Sequence, residues 1–171
     1  LFSNESNPKG VLAALGEKVS LSAGGYHSSC PLSNIRNYDN NLFYNWGDYQ
    51  PRFESDGFIM FDFGPSKKMD LKSYFIRSNG NGPSSHYHPK TWRIEGSNDG
   101  SSWTKLDRQE KNGSLNGNYK QCHFVCQFAS YGSESNWFRY IKYVQEDSWS
   151  SGYKYVICIS YFELYSDVID V

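Results

Sequence analysis

The stretch Trp92-Arg93-Ile94-Glu95-Gly96-Ser97-Asn98-Asp99-Gly100-Ser101-Ser102-Trp103 decides the fold class. Its first half begins with an aromatic residue and alternates large and small side chains, as a strand does. Its second half contains Asn98-Asp99-Gly100, and Asn-Gly or Asp-Gly pairs tolerate the positive φ that a tight turn requires. Trp103 then opens the return strand. The stretch predicts a β-hairpin in which Trp92, Ile94 and Trp103 pack the interior of a β domain.

Short strand-like segments continue on both sides of this hairpin. With the hairpin included, they lie at residues 19–23, 58–63, 69–78, 91–107, 120–128, 138–144 and 154–165. Strands at such spacings, with almost no helix between them, predict an all-β protein with a β-sandwich or jelly-roll fold. We expect residues 1–18 to be a lead-in segment with room for a short helix, residues 19–166 to be the domain, and residues 167–171 to be a tail.

The composition excludes several classes of function. A chain of 171 residues fits one domain with a single core. The formal net charge is −1 and no long basic run occurs, so binding to nucleic acid, which depends on clustered Lys and Arg, is not expected. No apolar run approaches the roughly 18–20 residues of a membrane helix. Motifs of serine hydrolases, phosphate-binding loops and metalloproteases are missing, so we expect no enzyme activity.

The four cysteines carry the prediction of compartment. Cys122 and Cys126 lie in one strand, too far apart for a disulfide bond. Together with Cys158, which lies in an apolar run, they are expected to be buried thiols, whereas Cys30 is expected to be exposed. Unpaired thiols favour a reducing compartment, so we predict a cytoplasmic protein. Two Asn-x-Ser glycosylation sequons keep an extracellular location open.

Four blocks of sequence point to a known family by their order and spacing. They are Phe58-Ile-Met-Phe-Asp-Phe-Gly64, the hairpin at 92–103, Phe138-Arg-Tyr-Ile-Lys142 and Ile159-Ser-Tyr-Phe-Glu-Leu-Tyr165. Together they resemble the discoidin family, also called the coagulation factor V/VIII C-type domain. Segments at 7–12, 73–78 and 107–112, with Leu115-Asn116-Gly117, are more similar still to the intracellular discoidin-like domains that follow BTB domains in some protist proteins.

The resemblance implies a galactose-binding-like jelly roll whose ligand surface lies on loops at one end. It also implies a departure, because secreted discoidin domains staple their termini with a disulfide, whereas this chain has no cysteine near residue 1 or after Tyr165. That departure speaks against an extracellular, phospholipid-binding role. The matching loops of this sequence are roughly 38–50, 79–90 and 145–153.

Candidate ligand-binding residues follow from these loops. Tyr44 and Trp46 offer aromatic rings for stacking on a sugar or a peptide side chain, or else Trp46 closes the barrel end as part of the core. Arg77 falls near the place where sugar-binding relatives carry a ligand arginine, or else it is a solvated residue at a strand end. The other candidates are Asn81, His86, His88 and Trp149.

The sequence contains candidate ligands for two metal sites. His86 and His88 point the same way on an extended chain, as half of a zinc site would, but no third ligand is evident nearby. Asp39 and Glu163 match the early loop aspartate and the last-strand glutamate between which related sugar-binding jelly rolls hold a structural calcium ion. The loop lacks the usual Asp-Gly turn of those relatives, so we expect no cofactor, with calcium as the alternative.

These observations favour a non-catalytic binding module that contacts a protein partner through its loop end, as an adaptor or a subunit of a larger intracellular assembly. One alternative is a carbohydrate-binding module that uses Arg77, Asn81, Trp46 and a loop histidine. Another is a structural component associated with the cytoskeleton. The sequence leaves the identity of the partner and the oligomeric state open.

Overall fold

Two antiparallel sheets make up the structure, a computed structural model that describes residues 9–24, 31–38, 44–46, 57–80, 87–128 and 136–171, with the backbone alone for 44–46. The strands are β1 (Ser20–Ala23), β2 (Tyr44–Trp46), β3 (Gly57–Asp62), β4 (Lys67–Ser78), β5 (Pro89–Ser97), β6 (Thr104–Gln109), β7 (Gln121–Val125), β8 (Tyr140–Ser148) and β9 (Ile157–Asp170). Sheet A has the order β1-β3-β8-β5-β6, and sheet B has the order β2-β9-β4-β7. The predicted all-β sandwich is confirmed.

Helical structure is confined to short segments in the described ranges. The α-helix α1 (Val11–Leu15) lies in the lead-in segment where a short helix is expected, and short 3-10 helices follow at Gly16–Lys18, Leu32–Arg36 and Gly113–Leu115. Within those ranges, no helix reaches the length and hydrophobicity that a bilayer crossing requires. At the other end of the chain, β9 continues to Asp170, so most of the predicted tail extends the last strand.

The hairpin formed by β5 and β6 is present as predicted. Gly100 adopts φ +75°, which glycine tolerates because it has no Cβ that would clash with the backbone. Oδ1 of Asp99 accepts hydrogen bonds from the amides of Ser101 (2.8 Å) and Ser102 (2.7 Å). These bonds lower the pKa of the Asp99 carboxyl, because they stabilise its charged form. The turn is therefore built by a side chain as well as by a glycine.

The packing predicted for Trp103 is wrong. Trp92 and Ile94 are fully buried, but Trp103 precedes β6 and is only half-buried. Nζ of Lys142 lies 3.6 Å from the centre of the Trp103 ring. The same ammonium pairs with Glu95 at 3.2 Å, on the outer face of sheet A. Trp103 thus covers a charged pair on the outside of the sandwich, where a cation over the ring face is favourable.

The buried cysteines match the prediction in part. Cys126 and Cys158 are buried, as expected of small apolar side chains, and neither forms a disulfide bond. Cys122 is half-buried, so its predicted burial is wrong. Burial raises the pKa of the Cys126 thiol strongly, which keeps it protonated and unreactive at neutral pH. Cys30 lies outside the described residues.

A polar contact joins the two sheets inside the core. Tyr74 on β4 of sheet B donates from its hydroxyl to Oδ2 of Asp107 on β6 of sheet A, at 2.6 Å. The same hydroxyl accepts a hydrogen bond from Nε1 of Trp92 on β5, at 2.9 Å. Asp107 and Trp92 are fully buried, and Asp107 also accepts from the side-chain amide of Gln109 (3.0 Å). The bridge satisfies buried polar groups that would otherwise cost free energy.

Apolar side chains from both sheets surround this bridge. The fully buried members of the main core include Ile59, Phe61, Met69, Tyr74, Ile76, Trp92, Ile94, Ile141, Tyr143, Ile157, Ile159, Phe162 and Leu164. They alternate along their strands with residues on the outer faces, which is the pattern that a half-buried strand requires. The core therefore lies between the sheets and leaves both ends of the sandwich to the connections.

Removal of the Tyr74 hydroxyl tests the bridge. We expect Tyr74→Phe to lower the free energy of unfolding by about 2 kcal/mol, because it leaves the Trp92 indole and a carboxylate oxygen of Asp107 with fewer partners in the core. Denaturation by urea measures the change. Tyr140→Phe is the matched control, since the Tyr140 ring packs against Arg139 on the surface (4.6 Å from guanidinium carbon to ring centre), and it should change stability little. Equal losses in the two variants would contradict the bridge.

Candidate functional site

One end of the sandwich gathers several connections between strands. Here β4, β6 and β8 end, and β5, β7 and β9 begin, so the connections at 79–88, 110–120 and 149–156 meet. We call the described residues of these connections, together with the strand ends next to them, the loop end. Backbone hydrogen bonds link these connections and strand ends. The amide of Ser78 donates to the carbonyl of Lys120 (2.8 Å), and the amide of Asn112 donates to the carbonyl of Lys90 (2.8 Å). The loop end is therefore built of connections that hold one another.

His88 lies inside the loop end and is only 5% exposed. Its Nε2 lies 3.1 Å from the carbonyl oxygen of Asn79, and its Nδ1 accepts a hydrogen bond from the amide of Gly117 at 2.9 Å. Both ring nitrogens thus face backbone groups of neighbouring connections. The sequence prediction placed His88 among the residues that contact a ligand, and the structure places it beneath that surface.

Trp149 is the exposed aromatic residue of the loop end, with 39% of its surface accessible. Its backbone amide donates to the carbonyl of His88 (3.0 Å), and its indole Nε1 donates to the carbonyl of Asn112 (3.3 Å). Nζ of Lys90 lies 5.3 Å from the ring centre and pairs with Oδ2 of Asp147 at 2.6 Å. A large aromatic surface is therefore held in place beside one cation and one carboxylate, which are groups that bind hydroxyls.

Arg77 is buried rather than solvated, so the alternative of a solvated strand end is wrong. It is 2% exposed, its Nε donates to Oγ of Ser160 (2.8 Å), and its guanidinium carbon lies 4.2 Å from the centre of the Tyr38 ring. Ser160 occupies a bulge of β9, where the register with β4 shifts between Arg77 and Ser78. The bulge places a hydroxyl opposite the guanidinium on the outer face of sheet B.

The backbones of Tyr44 and Trp46 also lie at this side of the molecule. In β2, Tyr44 pairs with Ile159 and Trp46 with Ile157, while Ser78 of β4 pairs with Ile159 from the other side. Neighbouring strands are spaced by about 4.8 Å, so the backbones of Tyr44 and Ser78 are separated by roughly 10 Å. The predicted sites Asn81, His86 and Asp39 lie outside the described residues, and their roles stay predictions.

Glu163 faces the N-terminal helix instead of a loop. It is 1% exposed, and its Oε1 accepts hydrogen bonds from the amides of Leu12 (2.7 Å) and Leu164 (2.9 Å). Its Oε2 accepts from the amide of Ala13 (3.1 Å) and from the hydroxyl of Tyr161 (3.3 Å). Burial raises the pKa of the Glu163 carboxyl, against the opposing effect of the amide hydrogen bonds.

This arrangement of Glu163 does not fit a calcium ligand. A carboxylate offers about four lone-pair sites, and four donors already point at them. A calcium ion would need the same lone pairs and would meet the protons of the helix amides. The described half of the predicted calcium pair is therefore engaged by α1. Among the described residues, no group of three or more His, Cys, Asp or Glu side chains is placed to hold a metal ion.

Several residues that shape the loop end escaped the sequence analysis. Gly117 and Asn79 hold His88, and Asn112 holds Trp149. Gly117 and Asn79 are separated from His88 by 29 and 9 positions, and Asn112 is separated from Trp149 by 37. In the sequence, Asn112 stands out only as part of the Asn112-Gly113-Ser114 sequon and of the family resemblance, and Gly117 only as part of that resemblance. All three partners act through backbone groups, which every residue possesses.

Solved structures of family 32 carbohydrate-binding modules share this fold. The module CpGH89CBM32-5 of Clostridium perfringens, in complex with GalNAc-β-1,3-galactose, aligns with a TM-score of 0.62 and 10% identity, over 88% of this chain and 96% of that chain. The module of C. perfringens NanJ, in complex with galactose, aligns with a TM-score of 0.60 and 13% identity, over 88% and 95%. The fold is a galactose-binding-like β-sandwich.

A third structure extends the comparison to another ligand. The family 32 module of AlyQ, in complex with 4,5-unsaturated mannuronic acid, aligns with a TM-score of 0.58 and 14% identity, over 86% of this chain and 95% of that chain. No protein-family model matches the sequence, and no curated protein matches it either. The galactose-binding-like part of the predicted resemblance is confirmed for the fold, and the similarity to BTB-linked domains of protists stays a prediction.

The contacts of Glu163 lead to a prediction about metal and stability. We expect neither added Ca²⁺ nor a chelator to change the melting temperature of the protein, because helix amides occupy the carboxylate. Glu163→Gln should lower the free energy of unfolding by about 1–3 kcal/mol, since its amide group would face N–H donors in a buried place. Thermal and urea denaturation measure both effects. Glu110→Gln, at an exposed ion pair, is the control and should change little. A melting temperature that rises with Ca²⁺ and falls with chelator would contradict this account.

Proposed function

We propose that this chain is a non-catalytic carbohydrate-binding module that binds a glycan at its loop end. The observation that carries the proposal is the exposed indole of Trp149, which is held by its own hydrogen bond to Asn112 and by the bond of the Trp149 backbone amide to His88, at an end of the fold where connections meet. Flat aromatic rings bind the apolar faces of sugar rings, and a ring that is already fixed loses little conformational entropy on binding. The glycan complexes of the structural neighbours support this ligand class.

Polar groups beside Trp149 supply the second half of a sugar site. The ammonium of Lys90 and the carboxylate of Asp147 are both partly exposed, at 24% and 27% of their side-chain surface. An ammonium donates to hydroxyl oxygens, and a carboxylate accepts from hydroxyl protons. In this proposal the apolar face of the sugar lies on the Trp149 ring while its hydroxyls bind the Lys90–Asp147 pair.

Arg77 takes a supporting role in this proposal. Its guanidinium stacks on the ring of Tyr38 and bonds Ser160, so it orders the end of β4 from which the connection to His88 begins. Replacing a buried Arg leaves polar partners and a cavity, which would disturb the fold along with any ligand contact. Trp149 is therefore the better residue for a test of binding.

The absence of catalysis belongs to the same proposal. A glycosidase requires two carboxyl groups that face each other across a cleft. Three carboxylates are buried in the described ranges: Asp107 binds Tyr74 in the core, Glu163 binds α1, and Asp70 pairs with Lys72. All three are engaged by protein groups, which favours a binding role. The adaptor hypothesis, with a protein partner and a cytoplasmic location, stays a prediction, and the comparisons favour carbohydrate.

A glycan array with a tryptophan pair tests the proposal. We expect the wild-type protein to bind a subset of glycans and Trp149→Ala to bind them about 10-fold more weakly, because loss of a stacking surface costs about 1–2 kcal/mol. Trp103→Ala is the matched control, since that half-buried ring covers Lys142 on the outer face of sheet A, and it should bind as the wild type does. Isothermal titration with the best glycan measures the affinities.

Two results would contradict the carbohydrate proposal. One is wild-type protein that binds no glycan on the array while its melting curve shows that it is folded. The other is equal weakening by Trp149→Ala and Trp103→Ala, which would place the sugar away from the loop end. Capture of a defined protein by the same folded domain would then support the adaptor hypothesis.

A further inference from the structure

His88 is the residue at which three connections of the loop end meet. Its ring lies between Asn79, at the start of the connection that His88 itself ends, and Gly117, in the connection that joins β6 to β7. Its carbonyl accepts the amide of Trp149, in the connection that joins β8 to β9 (3.0 Å). Three hydrogen bonds of one buried residue therefore reach three separate connections.

The hydrogen bonds define the protonation of the ring. The amide of Gly117 can only donate, so Nδ1 of His88 must present a lone pair. The single proton of the neutral ring then lies on Nε2, directed at the carbonyl of Asn79, which can only accept. Histidine suits this place because one rigid ring offers an acceptor and a donor on different corners. The ring acts as a bridge between two backbones.

Glycine at position 117 is part of the same bridge. Gly117 adopts φ +143°, a conformation that residues with a side chain rarely adopt, and an added Cβ would lie 3.1 Å from Cγ of Lys120. This backbone conformation turns the Gly117 amide toward His88. The carbonyl of Gly117 in turn accepts a hydrogen bond from the hydroxyl of Ser78 at 2.6 Å, which ties the end of β4 to the same residue.

Trp149 is held from two sides by the neighbourhood of His88. Its amide binds the carbonyl of His88, and its indole binds the carbonyl of Asn112. The amide of Asn112 binds the carbonyl of Lys90, two positions after His88. The orientation of the exposed indole thus depends on the short segment that begins β5, which is tied by the ring of His88 and by the pairing of Pro89 with Ser148 of β8.

We propose that His88 is a positioning residue for carbohydrate binding, which acts by holding Trp149 in place and makes no contact with the sugar. This inference rests on the proposed function, because it assigns a role within that binding site. It replaces the expectation that His88 is itself a ligand-binding residue. Its burial and its two backbone partners leave Trp149 as the group through which it acts.

Three substitutions separate the two ends of the bridge. His88→Phe keeps a flat ring and removes both hydrogen bonds, whereas His88→Asn retains an acceptor near the place of Nδ1 and His88→Gln retains a donor near the place of Nε2. We expect His88→Phe to weaken glycan binding about 10-fold and the two amide variants to recover part of this loss. His123→Phe is the control, since His123 binds Oγ of Ser73 on the outer face of sheet B (2.8 Å), and it should bind as the wild type does.

A double-mutant cycle decides whether His88 acts through Trp149. In the Trp149→Ala background, His88→Phe should have no further effect on affinity, because the ring it positions is gone. In the otherwise wild-type protein, His88→Phe should weaken the binding of all glycans by a similar factor. Loss of a direct contact would instead weaken the binding only of glycans that carry the contacted hydroxyl. Additive losses in the cycle, or a selective loss of certain glycans, would overturn the positioning role.

Hydrogen exchange tests the bridge independently of any glycan. The amides of Gly117 and Trp149 should exchange faster in His88→Phe than in the wild type, while core amides of β4 and β9 stay protected. Nitrogen-15 NMR of the wild-type ring should show a proton on Nε2 and none on Nδ1. Unchanged exchange at both amides, or a proton on Nδ1, would overturn the inference even if the array shows binding. Failure of the wild type to bind glycans would instead refute the proposed function, and these two measurements would still report on the bridge.

Discussion

The hydroxyl of Tyr74 is the contact on which the arrangement of the two sheets depends. It joins β4 of one sheet to β5 and β6 of the other, through Trp92 and Asp107. All three side chains are fully buried. Apolar contacts can be satisfied at many offsets between two sheets, but a buried carboxylate and an indole N–H are satisfied at one. The hydrogen bonds therefore select the offset, and the apolar core supplies most of the stability. The positions of the strand ends follow from that offset.

The strand ends carry the loop end, so the core reaches the candidate site through short covalent paths. Tyr74 and Asn79 are separated by five positions along β4 and its end, and Trp92 follows His88 by four positions. A shift between the sheets would move His88, which precedes β5 of sheet A, against Asn79, which follows β4 of sheet B. The binding surface is thus built on a rigid frame, as is usual where function lies on connections.

Much of the fold could be predicted from the sequence because its signals are local. The alternation in β1, the Asn98-Asp99-Gly100 turn and the apolar run at the start of β9 each depend on neighbours within a few positions. β2 was missed because it has only three residues and lies within a polar segment. Trp103 was assigned to the wrong face because it precedes β6 by one residue. Outside a strand, the alternation of side chains does not determine which face a residue occupies.

The candidate site could be predicted only in part, for a physical reason. Residue types identified Trp149 and His88, but their orientation depends on backbone partners in other connections. The carbonyl of Asn112 and the amide of Gly117 have no side-chain signature. Glu163 illustrates the same limit, because its partners in α1 are separated from it by about 150 positions. A pattern of residues can therefore suggest a calcium ligand where the chain itself provides the donors.

The clasp between Glu163 and α1 orders events during folding. The carboxylate belongs to the last strand, so the helix has no acceptor for its first amides until β9 lies between β2 and β4. Contacts between such distant positions form late, since closing the long loop between them costs entropy that earlier contacts must offset. A chain that lacks its final strand would leave Val11 and Leu12 exposed, and the amides of Leu12 and Ala13 would lose their acceptor. Exposure of the N-terminal helix therefore indicates that the C-terminal strand has not yet been added to its sheet.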